Sequence, residues 1–486
     1  MRTAASRIIL IVCLFWTGVS AAQWLPERDR YPENDRKPRS GEITRAYQAV
    51  ARQIVTAAMR NNDGYDKLEQ LCDGIGHRLS GSRGLERAVQ WAADTLRKDG
   101  QENVRLQPVM VPHWERGKES LALLSPYEMP LPVLGLGMSV GTPPHGITGE
   151  VLAVESKEEL DAVASKAAGK IVLFNYAMRD YTPERGTGYG DAVRYRYNGA
   201  RWAAEHGALA CLIRSVTARS LRSPHTGSMS YRDERNRIPA AAVSTEDAGM
   251  LSRLYKRGKR PRVRLQMEAE MRGEAQSHNV IAELRGRENP EEVIVIGGHL
   301  DSWDVGQGAH DDGAGSVMCM EVLNVLRKLN LIPRRTIRLV LFTNEENGVA
   351  GGKAYAKEHK HELANHVAAI ESDSGGFAPR GYGVGSKEDD TSAMALQQVA
   401  EIIELIDSIP NLKVTSGGGG ADINPMRPDG VVMIGHRTNN ATYFDYHHTH
   451  ADTLDKVDPY EFSQNIAVLA TLTYIIADMP MRLGTE

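Results

Sequence analysis

Val293-Ile294-Val295-Ile296-Gly297-Gly298-His299-Leu300-Asp301-Ser302-Trp303-Asp304 decides the fold of this chain. Four β-branched residues in a row read as a strand buried on both faces, the mark of a parallel sheet covered by helices. Two glycines close the run. A histidine and two acids follow at once, at the carboxyl end of the strand, where open α/β sheets collect their ligands.

The same pattern repeats outward. Residues 280–284, 336–342, 367–370 and 431–434 read as strands, and 313–329, 352–361, 393–406 and 459–476 as helices. The alternation predicts an α/β fold of three layers, a mixed and mostly parallel sheet with helices on both faces. Upstream, helices are expected from residue 43, over 65–72 and over 85–96, with a glycine-rich turn at 74–82 and strands near 104–111 and 121–124. From 146 to 272 the texture shifts to short strands (150–154, 170–174, 209–213, 240–243) around a helix at 198–206. That stretch is expected to be a smaller α/β unit inserted into the main domain. It closes in a basic run, 253–264, read as a solvated edge guarded by charge and not as a polyanion site. The expected division is therefore 1–22, 23–145, 146–272 and 273–486, the last carrying the site. No internal repeat is present.

The 486 residues suffice for two or three domains, and 41% hydrophobic with 25% charged residues is ordinary globular composition. A formal charge of −4 gives no footprint for nucleic acid. Residues 1–22 differ: Arg2 and Arg7, a short apolar run, then Ser20-Ala21-Ala22. This reads as a cleaved secretory signal, too short to span a membrane. Its removal takes the formal charge from −4 to −6. The expected location is secreted or periplasmic, with no membrane contact after cleavage. Residues 23–41 read as a loose arm. Cys72, Cys211 and Cys319 are odd in number and far apart, and read as small apolar packers. Asn440-Ala441-Thr442 is a glycosylation sequon.

Five clusters carry the chemistry: His299 with Asp301 and Asp304; His310-Asp311-Asp312; Glu345-Glu346; Glu371 with Asp373; and His447-His448 with His450 and Asp452. Singly, each is the kind of acid or histidine that decorates a surface. Five together, each after an apolar strand and most flanked by glycine, do not arise from packing, because buried acids must be paired or bind metal. Zinc accepts imidazole and carboxylate and keeps an open position in catalytic sites. A carboxylate such as Asp311 has two oxygens with which to bridge two ions, as hydrolytic metal pairs require. Asp301 alternates with His299 along an extended chain, so it can face the same side and orient the imidazole. Adjacent Glu345 and Glu346 can split their roles, one on metal and one on a proton.

These clusters resemble the co-catalytic zinc exopeptidases, a family that includes bacterial secreted aminopeptidases, glutamate carboxypeptidase and carboxypeptidase Q. The pattern from Gly297 to Asp312, then Asn344-Glu345-Glu346-Asn347-Gly348, Glu371-Ser372-Asp373-Ser374-Gly375 and His448 to Thr453, is that of the carboxypeptidase Q branch. The likeness extends over nearly all the mature chain, including Gly76-His77-Arg78-Leu79-Ser80-Gly81, and the insert resembles a protease-associated domain. The resemblance implies two zinc ions per chain. Asp311 bridges them, His299 and Asp373 complete one site, and Glu346 and His448 complete the other. Glu345 is the general base and Asp301 supports the ligands from behind. His448 is chosen over His447 and His450 because three residues separate it from Asp452-Thr453, as in the family. Where some relatives place an oxyanion-supporting tyrosine just before this ligand, this chain has His447, so the oxyanion partner is left open.

The resemblance further implies a peptide substrate and, as relatives with this insert are often homodimers, a homodimer as a possible assembly. The expected reaction is hydrolysis of dipeptides or short peptides, with release of N-terminal residues from longer peptides as the alternative. The loop 416–422 and Asn439-Asn440 are candidates for shaping the pocket. Competing readings are a metal-free binding module, a single-zinc acyltransferase or cyclase, and a non-peptide amidase, all on the same fold.

Overall fold

A computed structural model describes residues 41–60, 63–232 and 234–485; the expected signal and nearly all of the loose arm lie outside them. The main sheet has eight strands, in spatial order Glu102–Glu115, Glu270–Leu284, Arg335–Phe342, Asn289–His299, His366–Glu371, Val432–Thr438, Pro379–Gly385 and Lys413–Ser416. Its four central strands, from Arg335–Phe342 to Val432–Thr438, run parallel. Glu270–Leu284 and Pro379–Gly385 flank them antiparallel.

The Asn289–His299 strand shows why the apolar run is continuous. Ile294 and Ile296 enter one core with Leu339, Val317 and Leu323, while Val293 and Val295 enter another with Val340, Phe342 and Tyr355. Alternate side chains thus face opposite layers, and both layers are apolar. The first face carries Glu42–Met59, Arg83–Lys98, Ala314–Lys328 and Pro459–Asp478, and the second carries Ala350–Glu358. Ala314–Lys328 is buried without interruption from Ala314 to Leu326. Its one acid, Glu321, is held by Lys67, which also binds Asp99. Pro459–Asp478 begins where Asp458 accepts the N–H groups of Tyr460 and Glu461, with Pro459 in the first turn. A Leu323→Ala change in this core costs about 2–5 kcal/mol.

Two strands at one end of this sheet, Pro379–Gly385 and the edge strand Lys413–Ser416, are not legible in the sequence. Pro379–Gly385 contains Gly381, Gly383 and Gly385, which break the apolar signal. The glycine is required there: a Cβ on Gly381 would lie 2.0 Å from the Lys413 carbonyl oxygen on the neighbouring strand.

A second sheet of eight strands runs Met129–Leu131, Glu119–Ser125, Arg262–Met267, Ile147–Val154, Ile171–Phe174, Ala210–Arg214, Ala240–Val243 and Val133–Gly135. Its two edge strands are separated in the chain by Pro132 alone, so the sheet curls back on itself. It begins at Glu119, ahead of residue 146, because the strand Glu119–Ser125 pairs with Arg262–Met267 and not with the main sheet. The basic run supplies Arg262–Met267, an interior strand whose arginines alternate outward. One face of this sheet packs on Leu79, Trp303 and Val305 of the main unit. The other lies under the helix Tyr189–Ala204. Cys72, Cys211 and Cys319 are buried and free. Among the described residues no helix is long and apolar enough to cross a membrane.

Candidate metal centre

The central parallel strands deliver their acids to one end. His299 is the last residue of its strand, Glu345 and Glu346 follow Phe342, and Asp373 follows Glu371. Asp311 arrives from the turn that opens Ala314–Lys328, and His448 from the turn after the short helix Tyr443–Tyr446.

Asp311 sits at the middle. Its Oδ1 is 3.3 Å from His299 Nε2, and its Oδ2 is 3.2 Å from His448 Nε2. His299 Nε2 is also 3.7 Å from Asp373 Oδ1, and His448 Nε2 is 3.1 Å from Glu346 Oε2. The five expected ligands therefore converge, with the two oxygens of Asp311 turned to different histidines. His447 lies beside them, its Nε2 3.6 Å from Asp311 Oδ2. His450 is exposed and outside the cluster.

The imidazoles are oriented from behind. His299 Nδ1 meets the Asp301 carbonyl at 3.0 Å, nearer than the Asp301 carboxylate at 3.7 Å. His448 Nδ1 meets the Thr226 carbonyl at 3.2 Å, so the second sheet's unit holds this side chain. In each case an N–H donated at Nδ1 leaves Nε2 free to bind a cation. The Asp301 carboxylate instead accepts the N–H of Glu345 at 3.1 Å and that of Glu346 at 3.3 Å.

The electrostatics are those of buried, crowded carboxylates. Burial and then the charge of Asp311 lift the Glu346 carboxyl to about 7, against the pull of His448. Burial raises Glu345 well above the carboxylate range; His299 opposes this, and Asp373 and Glu346 add to it. Burial depresses His299 and His448, yet neighbouring carboxylates overcome it. Asp311 and Asp373 raise His299 well above its ordinary value, and Glu346 and Asp311 raise His448 to about 9. Burial lifts Glu371 to about 8, with Asp373 adding to it. Too many carboxylates share too few positive charges. His299 Nε2, Asp311 Oδ2 and Glu346 Oε1 are buried without a hydrogen-bond partner. Unpartnered nitrogen and oxygen donors converging around one carboxylate fit divalent cations.

Asp312, Asp452 and Arg78 are named within the sequence motifs but without a supporting role at the site. Asp312 accepts the N–H of His299 at 3.1 Å, and Asp452 accepts those of His310 and Asp311 at 2.7 and 3.1 Å. Arg78, from the glycine-rich turn, donates to the carbonyls of Leu300, Gln307 and Gly308 and so ties down the loop after His299. The only sequence signal for Asp312 and Asp452 was adjacency to the expected ligands. Of the two expected pocket elements, the loop 416–422 does reach the site. Ile423, just beyond it, donates to Glu371 Oε2 at 3.0 Å, and a Cβ on Gly420 would lie 2.1 Å from Glu371 Cδ. Asn439 instead uses its backbone N–H on the Ala378 carbonyl.

Residues 279–473 match the sequence pattern of peptidase family M28. The chain is 42% identical to carboxypeptidase Q of Homo sapiens over 433 residues, covering 88% of this chain and 89% of that protein. It is 43% identical to carboxypeptidase Q of Bos taurus over 436 residues, covering 89% and 90%. Among solved structures, the peptidase M28 precursor from Shewanella amazonensis SB2B superposes with a TM-score of 0.86 at 37% identity, covering 90% of this chain and 98% of that one. A zinc aminopeptidase from Bacillus subtilis shares the fold, with a TM-score of 0.64 at 20% identity over 87% of this chain and 96% of its own.

Proposed function

Since this chain belongs to peptidase family M28, on its carboxypeptidase Q branch, and is a metallopeptidase, we propose that it is a secreted or periplasmic di-zinc exopeptidase acting on dipeptides or short peptides. The observation that carries this reading is the pair of contacts at Asp311: Oδ1 toward His299 and Oδ2 toward His448. One carboxylate facing two histidines suits a bridging ligand. His299 and Asp373 then hold one zinc, and Glu346 and His448 the other. The curled second sheet is the protease-associated insert of such enzymes.

A bound zinc pair supplies acidification of water and polarisation of the scissile carbonyl. The chain's own groups do the rest. Glu345 stands next to Glu346 on a backbone pinned by Asp301, with its proton affinity raised by burial. It takes a proton from the attacking water and returns it to the leaving amine. Asp301 keeps Glu345 and Glu346 in register, and Thr226 keeps the His448 tautomer. Trp303, its ring centroid 5.5 Å from that of His448, closes the side of the centre against water.

The test joins zinc content with hydrolysis of a dipeptide panel, including N-blocked and C-amidated analogues, before and after chelation. Two zincs per chain and chelator-sensitive cleavage of free dipeptides are expected. Undiminished activity after metal removal overturns the reading, and preferential cleavage of long peptides from the N-terminus replaces dipeptidase with aminopeptidase.

A further inference from the structure

The helix Tyr189–Ala204 of the second unit brings a phenol and a guanidinium to the metal centre. Tyr189 stacks on Phe444 with ring centroids 4.6 Å apart, and stands edge-on to His447 at 5.6 Å. Its phenol oxygen accepts a hydrogen bond from Arg196 Nη2 at 3.0 Å. Arg196 Nη1 lies 3.4 Å from His448 Nδ1. Burial raises the phenol above its ordinary value, Arg196 opposes this, and Glu345 and Asp311 add to it.

Arg196 is the unusual partner. It is 5% exposed, and among the described residues it forms no ion pair with a carboxylate. Its Nε has no hydrogen-bond partner. The backbone of Gly227 lies against the guanidinium so closely that a Cβ there would fall 2.4 Å from Cζ. Holding a buried cation without a counter-charge is costly, and no fold-stabilising pair repays it here. Nor is His448 the repayment: its Nδ1 has the Thr226 carbonyl, and a ring nitrogen that donates there cannot also accept from Arg196. What Arg196 does accomplish is to occupy the phenol oxygen of Tyr189. A hydroxyl that accepts from a cation becomes a stronger donor, and its own hydrogen is turned away from that cation.

We propose that Tyr189 donates a hydrogen bond to the oxyanion that develops on the scissile carbonyl, with Arg196 as the positioning residue that orients and polarises the phenol. The proton stays on Tyr189 throughout, so the step strengthens as negative charge gathers on the carbonyl oxygen and needs no co-reactant. The inserted unit then contributes directly to transition-state stabilisation. The assignment rests on the peptidase reading above.

The experiment compares wild type, Tyr189→Phe and Arg196→Lys as zinc-loaded full-length proteins. In Y189F the kcat on a free dipeptide is expected to fall about 10²–10³-fold, the loss typical of one oxyanion donor, with KM and zinc content little changed. A phosphinate analogue of that dipeptide, which mimics the tetrahedral state, should bind Y189F more weakly by the same factor. Binding of the product amino acids should not change. R196K should fall between the two and retain both zincs. Wild-type kcat in Y189F overturns the assignment. So does an equal weakening of dipeptide and phosphinate, and so does a loss confined to free-acid substrates over their amides, which makes the pair a reader of the substrate carboxylate. If wild type itself cleaves no peptide, the peptidase reading falls first; if it does and Y189F matches it, only this assignment falls.

Discussion

The carboxylate of Asp301 accepts the backbone N–H of Glu345 at 3.1 Å across 44 positions of sequence. Asp301 stands two residues after His299, so the strand that supplies one expected ligand also fixes the neighbouring strand's glutamate pair. The device recurs. Asp312, beside Asp311, accepts the N–H of His299 at 3.1 Å, and Asp452, four residues after His448, accepts that of Asp311 at 3.1 Å. Each of these three motifs thus presents one expected ligand, His299, Asp311 or His448, and a carboxylate that holds the backbone of a different motif. The centre is assembled through these cross-ties, and the loss of one tie loosens an expected ligand on another segment.

Asp301→Asn tests the first tie. The asparagine oxygen accepts one N–H, but its NH₂ then faces the second, so Glu345 and Glu346 cannot both be held. Zinc affinity or kcat is expected to drop about 10–100-fold, as for other groups that support metal ligands from behind. Competition for zinc with a chromophoric chelator and steady-state kinetics report the two quantities. Wild-type values for both would show that Glu345 and Glu346 hold their places without Asp301.

Glu345→Gln separates proton transfer from cation binding. The amide keeps the volume and the backbone contact to Asp301 but cannot carry a proton at neutral pH. The variant should retain zinc while kcat falls by about 10²–10⁴-fold. Activity near that of wild type would assign the proton to another group.

How much of this was legible follows from where each signal resides. The positions of the expected ligands were readable because His299, Glu345-Glu346 and Asp373 each follow an apolar strand, and a polar residue at such a point has no packing explanation. The central strands were readable for the same reason. Pro379–Gly385 was not, because close approach to Lys413 demands glycine where a strand pattern would show side chains. The start of the second sheet at Glu119 was not, because strand texture does not say which sheet a strand joins. The carbonyl of Thr226 on His448 and the guanidinium of Arg196 on Tyr189 were beyond reach. The first joins units distant in sequence, and a backbone carbonyl leaves no mark on residue identity; the second lies within one helix, where spacing alone does not say that a phenol accepts from a guanidinium.

His366, at the opposite end of the sheet, predicts an acid-linked loss of stability. Its Nε2 accepts the Tyr355 hydroxyl at 2.9 Å and its Nδ1 donates to the Glu362 carbonyl at 3.1 Å, so the neutral ring is fully used. Burial holds its pKa down at about 4. The unfolded chain binds a proton near pH 6.5, so between 6.5 and 4 the unfolded state holds more protons and stability falls as pH falls. The total is roughly 3 kcal/mol. In His366→Gln, the slope of unfolding free energy against pH between 6 and 5 should shrink by about one proton. Urea unfolding of chelated protein at several pH values measures it, and an unchanged slope would mean that His366 does not titrate with unfolding.

The metal centre predicts the opposite slope at higher pH, in chelated protein alone. Burial raises the carboxyls of Glu346 and Asp452 to about 7 and that of Glu371 to about 8. Unfolded glutamate and aspartate titrate near 4, so between 4 and 8 the folded state holds more protons than the unfolded one. Stability from these groups is present in full below the unfolded value and is lost as pH rises through 7 to 8. Zinc binds the deprotonated ligands and compensates their charge, so the loaded protein gains affinity over the same interval. The fall in Tm caused by chelation should therefore be larger at pH 8.5 than at pH 6.5, as followed by thermal unfolding with and without chelator. An equal fall at both would mean that the crowded carboxylates are not what the cations hold together, because only charge that appears with rising pH makes the empty centre repel itself.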